Sequence, residues 1–359
     1  MRVLHIVPDI SVSNGIMSII LNYAKYMPDD VVFDVLYFFE TETTRKADIE
    51  VLGGIVSKTD YPSIKTIFNL KLYNFFRKNM NKWDAIHIHG PHFAPLFAPY
   101  AKLAGYRKIF VHCHSTIYSL IGNSNVNHML SLYSKYFVKR KIACSKESGE
   151  FWYGNKKFTI INNAVEPQKF FYNDALRTKK RDELNIGNKV VIGHVGKTDI
   201  PQKNHKFLMN VFKAFKKLHS DSLLLLAGAL PTDELIALTK QLEIDDSVRF
   251  MGARSDINEL YQVFDVFVFP SISEGLPVSV VEAQFASLPV IMSDSITDEV
   301  VVCDNLVKVS LDRAPNEWAE AIKNSISAER NEISVNENAK KWDITNESQK
   351  LLNLYREQI

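Results

Sequence analysis

Short apolar runs alternate with helix-length amphipathic segments along most of this chain, and the alternation starts twice. The first series opens at Val3-Leu-His-Ile-Val7, with further strands read at 31–39, 55–57, 85–89 and 108–112. Between them lie segments with helical spacing, such as Ile16, Ile19, Ile20, Tyr23 and Met27, and helices near 41–52, 63–80, 93–105 and 125–139. Strands that are apolar on both faces and separated by helices belong in a parallel sheet covered on both sides. A polar, irregular stretch over 164–187, centred on Lys179-Lys-Arg-Asp-Glu183, interrupts the pattern. The alternation restarts at Val190-Val-Ile-Gly-His-Val195, with strands read at 223–226, 248–250, 266–269 and 289–292 and helices at 204–218, 232–242, 257–264 and 279–285. The expected fold class is α/β, with two doubly wound domains in series. The boundary falls in the polar stretch, giving domains over 1–165 and 166–344.

Composition narrows the classes. At 359 residues and 46% hydrophobic, the chain has the balance of a globular protein and can bury cores without disulfide or metal staples. Cys113, Cys144 and Cys303 are scattered, which excludes a disulfide scaffold and a cysteine-only zinc cluster and fits a reducing compartment. The opening apolar stretch is too short for a secretory signal, and no run approaches the ~18 apolar residues of a membrane span. A cytoplasmic protein is expected, with contact to the inner face of a membrane left open. The net charge of +2 hides an uneven distribution. Residues 1–180 carry 24 Lys and Arg against 14 Asp and Glu, a net of +10, and the remainder is at −8. An anionic ligand or surface facing the first half accounts for such a split. The segment 63–80 carries Lys65, Lys71, Arg77 and Lys78 among Phe68, Tyr73, Phe75 and Phe76, with Lys82 and Trp83 following. That pattern suits anionic lipid, although a core helix with a solvated face is the plainer reading. No nucleic-acid-binding module is present.

In open α/β sheets, ligands sit beyond the carboxyl ends of the strands. After the first strand, Ser13-Asn-Gly15 opens a helix, where a glycine lets backbone amides approach a phosphate. The full Gly-x-Gly-x-x-Gly signature is missing, which argues against a nicotinamide enzyme. In the second half, Gly193-His-Val-Gly-Lys197 and Pro201-Gln-Lys-Asn-His205 bracket a strand-to-helix loop that holds Gly196, Lys197 and Lys203. Two ammonium groups there can neutralise a diphosphate. The most informative stretch is Phe269-Pro-Ser-Ile-Ser-Glu-Gly-Leu-Pro-Val-Ser-Val-Val-Glu-Ala283. A strand delivers Glu274, the amides of Gly275-Leu-Pro277 and the following helix start make an anion site, and Glu282 stands eight positions on. One carboxylate can accept hydrogen bonds from sugar hydroxyls and the other from a ribose diol. A bland alternative, in which both glutamates merely complement the helix dipole, explains a first-turn acid but not this pair. His87, His89 and His92 have a superficial metal-ligand spacing, but cleft-lining or internally satisfied histidines are the expected outcome. Cys113 beside His112 and His114 faces the opposite side of its strand, against a nucleophile role.

With these stretches, the sequence resembles a GT-B glycosyltransferase of glycosyltransferase family 4, retaining and nucleotide-sugar dependent, most nearly the bacterial exopolysaccharide and capsule-assembly members. The Glu-x7-Glu signature is Glu274 to Glu282. Ile142-Ala-Cys-Ser-Lys-Glu147, Ile160-Ile-Asn-Asn-Ala-Val165, His194-Val-Gly-Lys197, Gln202-Lys-Asn-His205 and Ser293-Asp-Ser-Ile-Thr-Asp-Glu299 match in family order. The resemblance implies two Rossmann-like domains facing each other across a cleft, the first for the acceptor and the second for the donor, with a final helix at about 345–359 packed back on the first. It implies that Glu274 binds donor-sugar hydroxyls near the amides of Gly275, Leu276 and the neighbours of Pro277. Glu282 would bind the ribose, Lys203 the diphosphate, and Gly15 would lie against the phosphates. His114 corresponds to the active-site histidine, with His112 the competing choice. Two departures stand out: Lys197 replaces the usual arginine, losing a bidentate fork, and Asn14 replaces the first of two glycines.

The implied reaction expels a nucleoside diphosphate as the acceptor hydroxyl approaches the same face, a phosphate oxygen taking its proton. The chain contains no Asp-x-Asp, so Lys197, Lys203 and helix starts would stabilise the leaving group without a metal or other cofactor. The donor is expected to be a UDP-sugar and the acceptor a saccharide or a lipid-diphosphate-linked saccharide. Two other functions fit the same architecture: a sugar-nucleotide 2-epimerase, and a non-catalytic partner subunit.

Overall fold

The computed structural model describes residues 1–12, 14–61, 70–116, 118, 124–198, 200–228, 230–326, 330 and 337–357. Its internal contacts divide the chain into one unit of Met1–Val165 with Lys341–Ile359 and another of Glu166–Lys340.

The first unit is a seven-stranded parallel sheet. Its strands are β1 (Arg2–Ile6), β2 (Val32–Tyr37), β3 (Val56–Lys58), β4 (Ala85–His89), β5 (Ile109–Cys113), β6 (Arg140–Ala143) and β7 (Thr159–Ile160), in the order β3-β2-β1-β4-β5-β6-β7. Successive residues of a strand face opposite ways, so each strand supplies two cores. Val3, Phe33, Val35, Ala85 and Phe110 pack on one face with Ile20 and Tyr23 of α1 (Gly15–Lys25). Leu4, Ile6, Ile86, Ile88 and Val111 pack on the other against the helices that follow β3 and β4. Those are α3 (Leu70–Lys78), which inserts Leu72 and Phe76, and α4 (Ala94–Leu103), which inserts Leu96 and Phe97. The short α2 is Lys46–Val51, α5 is Ser124–Phe137 and α6 is Lys146–Tyr153. The last helix, Ile344–Arg356, seats Leu351, Leu352 and Tyr355 against the α1 side of this sheet. Its entry is fixed by backbone hydrogen bonds from Val165 N to Trp342 O, 2.9 Å, and from Ile344 N to Val165 O, 3.0 Å.

The second unit is a six-stranded parallel sheet of order β10-β9-β8-β11-β12-β13. The strands are β8 (Val190–Val195), β9 (Ser222–Ala227), β10 (Val248–Gly252), β11 (Val266–Phe269), β12 (Val290–Ser293) and β13 (Leu306–Val309). On one face, Leu208, Phe212 and Phe215 of α8 (His205–Leu218) meet Trp318 and Ile322 of α12 (Pro315–Ser325), α12 being the last helix of this unit. The remaining helices are α7 (Asp174–Glu183), α9 (Asp233–Gln241), α10 (Ile257–Val263) and α11 (Val278–Phe285), which makes the chain-terminal helix α13. At Gly193 a Cβ would fall 2.1 Å from the Phe264 ring, so this strand position has no room for a side chain.

Three expectations shift. The stretch read as irregular contains α7, which buries none of its residues. Instead Arg177 and Arg181 reach the carbonyls at the C-terminal end of α10 and the carboxylate of Asp265, which Arg177 meets at 2.5 Å. The helix read at 41–52 is only Lys46–Val51, and residues 62–69 of the basic segment lie outside the described residues. Asn14 is in extended backbone (φ −79°), not a left-handed turn, and caps α1 by accepting from Ile16 N at 2.9 Å.

Candidate functional site

The second sheet reverses its strand order between β8 and β11. That is the position where an open α/β sheet leaves a crevice at its carboxyl edge. Both loops singled out in the sequence emerge there. After β8 come Gly196 and Lys197, then a single 3-10 turn, Pro201–Lys203, that leads into α8. After β11 the chain runs through Glu274 to α11. Ile272 N donates to Gln202 O at 2.8 Å, and Asn204 donates from its amide to Pro270 O at 3.2 Å, so the two loops are stitched together.

Lys203 and Glu274 form an ion pair, Nζ to Oε1, of 2.8 Å. The Lys203 ammonium also lies 4.8 Å from the centroid of the Phe269 ring. Both charged side chains are largely shielded, with 16% and 18% exposure. A Cβ at Gly196 would fall 3.1 Å from Lys203 Cδ and 3.0 Å from His194 Nε2, so the glycine leaves the space in which the lysine stem lies. Lys197 is half-buried and makes no ion pair among the described residues.

Gly275, Leu276 and Pro277 are buried, and Pro277 is the N-cap of α11. Proline has no N–H to lose at a helix start, so this placement costs no hydrogen bond. Glu282 lies on α11 beyond its first turn. Tyr261, fully buried on α10, places its hydroxyl 3.0 Å from Glu282 Oε2 and 3.0 Å from Ser279 O. Burial raises the Glu282 carboxyl to about 7, while the Tyr261 hydrogen bond pulls it the other way. This group therefore titrates near neutrality, and its ionisation is coupled to whatever occupies the space beside it.

In the first unit, Gly15 is the first residue of α1, and among the described residues outside its chain neighbours no atom lies within 4 Å of where a Cβ would stand. His114 follows β5 and is half-buried. Its Nε2 is 2.8 Å from His89 Nδ1, and its Nδ1 is 3.3 Å from Asn163 Oδ1. Desolvation lowers it to about 4, so it is neutral at pH 7. His112 is only 3% exposed and stacks between His87 and His114. Of the two competing imidazoles, His114 alone reaches the edge of the sheet. Cys113 points the other way, toward Ile142 O and Ser148, and burial pushes its thiol up.

The structure thus brings together Gly196, Lys203, Glu274, Gly275, Leu276, Pro277 and Glu282 at one sheet edge. Gly15 and His114 belong to the other unit. Tyr261 and Asn163 were missed as functional neighbours. Asn163 sits in the Ile160–Val165 stretch but carries no signal of its own, and Tyr261 lies in a helix without any motif.

Residues 177–342 match the family model described as glycosyl transferases group 1. The EpsF protein of Bacillus subtilis strain 168, named as a glycosyltransferase, is 30% identical over 345 residues, covering 92% of this chain and 88% of that protein. The UDP-Gal:alpha-D-GlcNAc-diphosphoundecaprenol alpha-1,3-galactosyltransferase of Escherichia coli is 26% identical over 240 residues, 63% of this chain and 61% of that enzyme. Among solved structures, Anabaena HepE in complex with UDP and glucose superimposes with a TM-score of 0.80 at 17% identity, covering 98% of each chain. The last likeness shows the fold, that of the GT-B glycosyltransferases. By its relationship to EpsF and the family match over residues 177–342, the chain belongs to the glycosyl transferases of group 1.

Proposed function

We propose that this glycosyltransferase moves a sugar from a nucleotide sugar, read as a UDP-sugar, to a lipid-diphosphate-linked saccharide during assembly of a bacterial surface polysaccharide, with retention at the anomeric carbon. The observation that carries the reading is the Lys203–Glu274 pair at the carboxyl edge of two adjacent strands, backed by the start of α11. A diphosphate supplies the counter-charge that Lys203 takes from Glu274 in the unliganded protein. Glu274 is then free to accept hydrogen bonds from sugar hydroxyls. Glu282 holds the ribose diol, Lys197 and the amides of Gly275 and Leu276 lie by the phosphates, and Gly15 and His114 act from the first unit. As the bond from the anomeric carbon to the diphosphate breaks, the acceptor oxygen bonds to that carbon. The acceptor proton passes to a leaving phosphate oxygen. The lysines and helix start stabilise the departing charge electrostatically, so no metal is invoked in this step. The UDP in the HepE complex and the undecaprenyl-linked acceptor in the name of the Escherichia coli relative support the choice of substrates.

The same reading makes the protein cytoplasmic and peripheral to the inner face of the cell membrane. No helix among the described residues is long and apolar enough to cross a membrane. Between residues 61 and 146 the chain has 13 Lys and Arg and one acid, Asp84. Helix α5 packs Tyr133 on the core and buries Ser131 and Ser134, and it leaves Met129, Leu132, Tyr136 and Phe137 exposed. Lys135 lies 5.7 Å from the Tyr136 ring centroid, and the exposed Lys139 follows the helix. Apolar side chains ringed by cations suit an anionic lipid interface.

The test is a turnover assay with UDP-sugars, with and without an isoprenoid-diphosphate-linked saccharide, in chelator. Release of UDP that requires the acceptor supports transfer. Conversion of the donor to its epimer without acceptor identifies the 2-epimerase, and donor binding without turnover across acceptors identifies a non-catalytic subunit.

A further inference from the structure

Five histidines of the first unit, His5 on β1, His87 and His89 on β4, and His112 and His114 at β5, lie on one side of the sheet, the side covered by α1 and α13. His5 and His87 are register partners on adjacent strands, and His89 is two residues on, so it shares their face. His5, His87 and His89 are 1%, 1% and 2% exposed. We propose that these three imidazoles form a binding site for one divalent transition ion of the zinc type.

Hydrogen-bond polarity carries the argument. The Asn163 amide oxygen can only accept, so the His114 Nδ1 facing it at 3.3 Å carries a proton and His114 Nε2 carries a lone pair. His89 Nδ1, 2.8 Å away, must donate to that lone pair, which leaves His89 Nε2 as a lone pair too. It accepts from His5 Nδ1–H at 2.9 Å, a bond that coordination of an ion replaces. His87 has Nδ1 2.5 Å from the Tyr355 hydroxyl, and its Nε2 is buried without a partner, as is His5 Nε2. One ring nitrogen from each of the three lies within 4.8 Å of the others. Nitrogen ligands at the corners of a zinc tetrahedron stand about 3.3 Å apart, inside the 4.8 Å limit that this cluster meets.

The surroundings match what such a site needs. Two of the three rings have a fixing partner on the nitrogen turned away from the ion, Tyr355 behind His87 and the His114–Asn163 pair behind His89. Imidazoles select zinc, cobalt, nickel or copper over magnesium and calcium. The ion would tie β1 to β4 at the strand-order reversal of the first sheet. None of its three ligands belongs to the Lys203–Glu274 pair, although His89 contacts His114 at 2.8 Å.

The site is closed to solvent, so the ion is taken up as the chain folds. The experiment uses the full chain, unfolded and refolded after chelation, with zinc or cobalt supplied during refolding. Metal content is read by mass spectrometry, and the ligand field of cobalt by its visible absorption. One ion per chain that survives dialysis, an intense tetrahedral cobalt band, and loss of both in H5Q and H87F are expected. No retained ion and no band in the wild-type chain would overturn the proposal without reference to any variant. Retention of a full equivalent in folded H5Q and H87F would also overturn it, locating the ion elsewhere.

Discussion

Glu282 is a carboxyl whose chemistry is set by its neighbours. In the unfolded chain it titrates near 4.5 and in the folded protein at about 7. Between those values the native state holds the extra proton, so stability is lost as pH rises through the window and the ionised form costs ~3 kcal/mol above it. Replacing it by glutamine keeps an acceptor for Tyr261 and removes the charge. E282Q should therefore melt higher than wild type at pH 8 and no higher at pH 4, while nucleotide binding is lost. Calorimetry at the two pH values checks the sign. In the wild type, UDP affinity should rise from pH 6 to pH 8 as the carboxylate forms, and Y261F should move that rise to higher pH. Lys203 and Glu274 divide differently. K203M should weaken UDP itself by ~10–100-fold, the range for a lost charge-assisted hydrogen bond. E274Q should leave UDP binding nearly intact and abolish the extra affinity of the UDP-sugar over UDP, read by titration calorimetry. The spacing of Glu274 and Glu282 was legible in the sequence because it lies within one stretch. The ion pair with Lys203 and the Tyr261 contact were not, because they join residues 71 and 21 apart across separate elements.

At the scale of elements, the strands were the easiest to read, since a strand covered on both faces must be apolar at nearly every position. Their boundaries moved by a residue or two, and their order could not be read, because register between parallel strands is fixed by contacts the sequence does not display. Helix α7 shows the opposite limit. Its sequence has no apolar stripe, so periodicity gave nothing to find. Its local signal was the cap: Asn173 accepts from Leu176 N at 2.9 Å. What anchors it is charge, with Arg177 donating to the carbonyls of Gln262, Val263 and Phe264 and to Asp265. Cations at the C-terminal end of a helix are favourable, and here one side chain satisfies several end carbonyls of α10. R177M preserves the length and removes all of these bonds. It should destabilise the protein by ~2–3 kcal/mol, seen as a lower denaturant midpoint with unchanged slope. A smaller loss of ~1 kcal/mol is expected for N14A, which uncaps α1.

For the molecule as a whole, the uneven charge and the exposed apolar side chains of α5 make one argument. A soluble helix turns its apolar side chains inward, because exposing them costs ~25 cal/mol per Å². α5 buries two serines and leaves Met129 at 60%, Tyr136 at 58% and Phe137 at 65% exposure. The cations close to it, Lys102, Lys135 and Lys156, lie within cation–π distance of Tyr133 or Tyr136, so charge and ring surface are presented together. Each cation near an anionic bilayer contributes ~1 kcal/mol, and that contribution decays within the ~8 Å Debye length of physiological salt. The full-length protein should therefore co-sediment with phosphatidylglycerol vesicles and not with neutral phosphatidylcholine vesicles. Raising salt should release most of it, with the remainder held by Met129, Tyr136 and Phe137. Reversing Lys102, Lys135 and Lys139 to glutamate should abolish vesicle binding while leaving UDP affinity unchanged, since none of the three belongs to the donor site. Equal binding to neutral and anionic vesicles would leave the charge asymmetry without a lipid partner. Loss of UDP affinity in the triple variant would tie these lysines to the donor and not to the membrane.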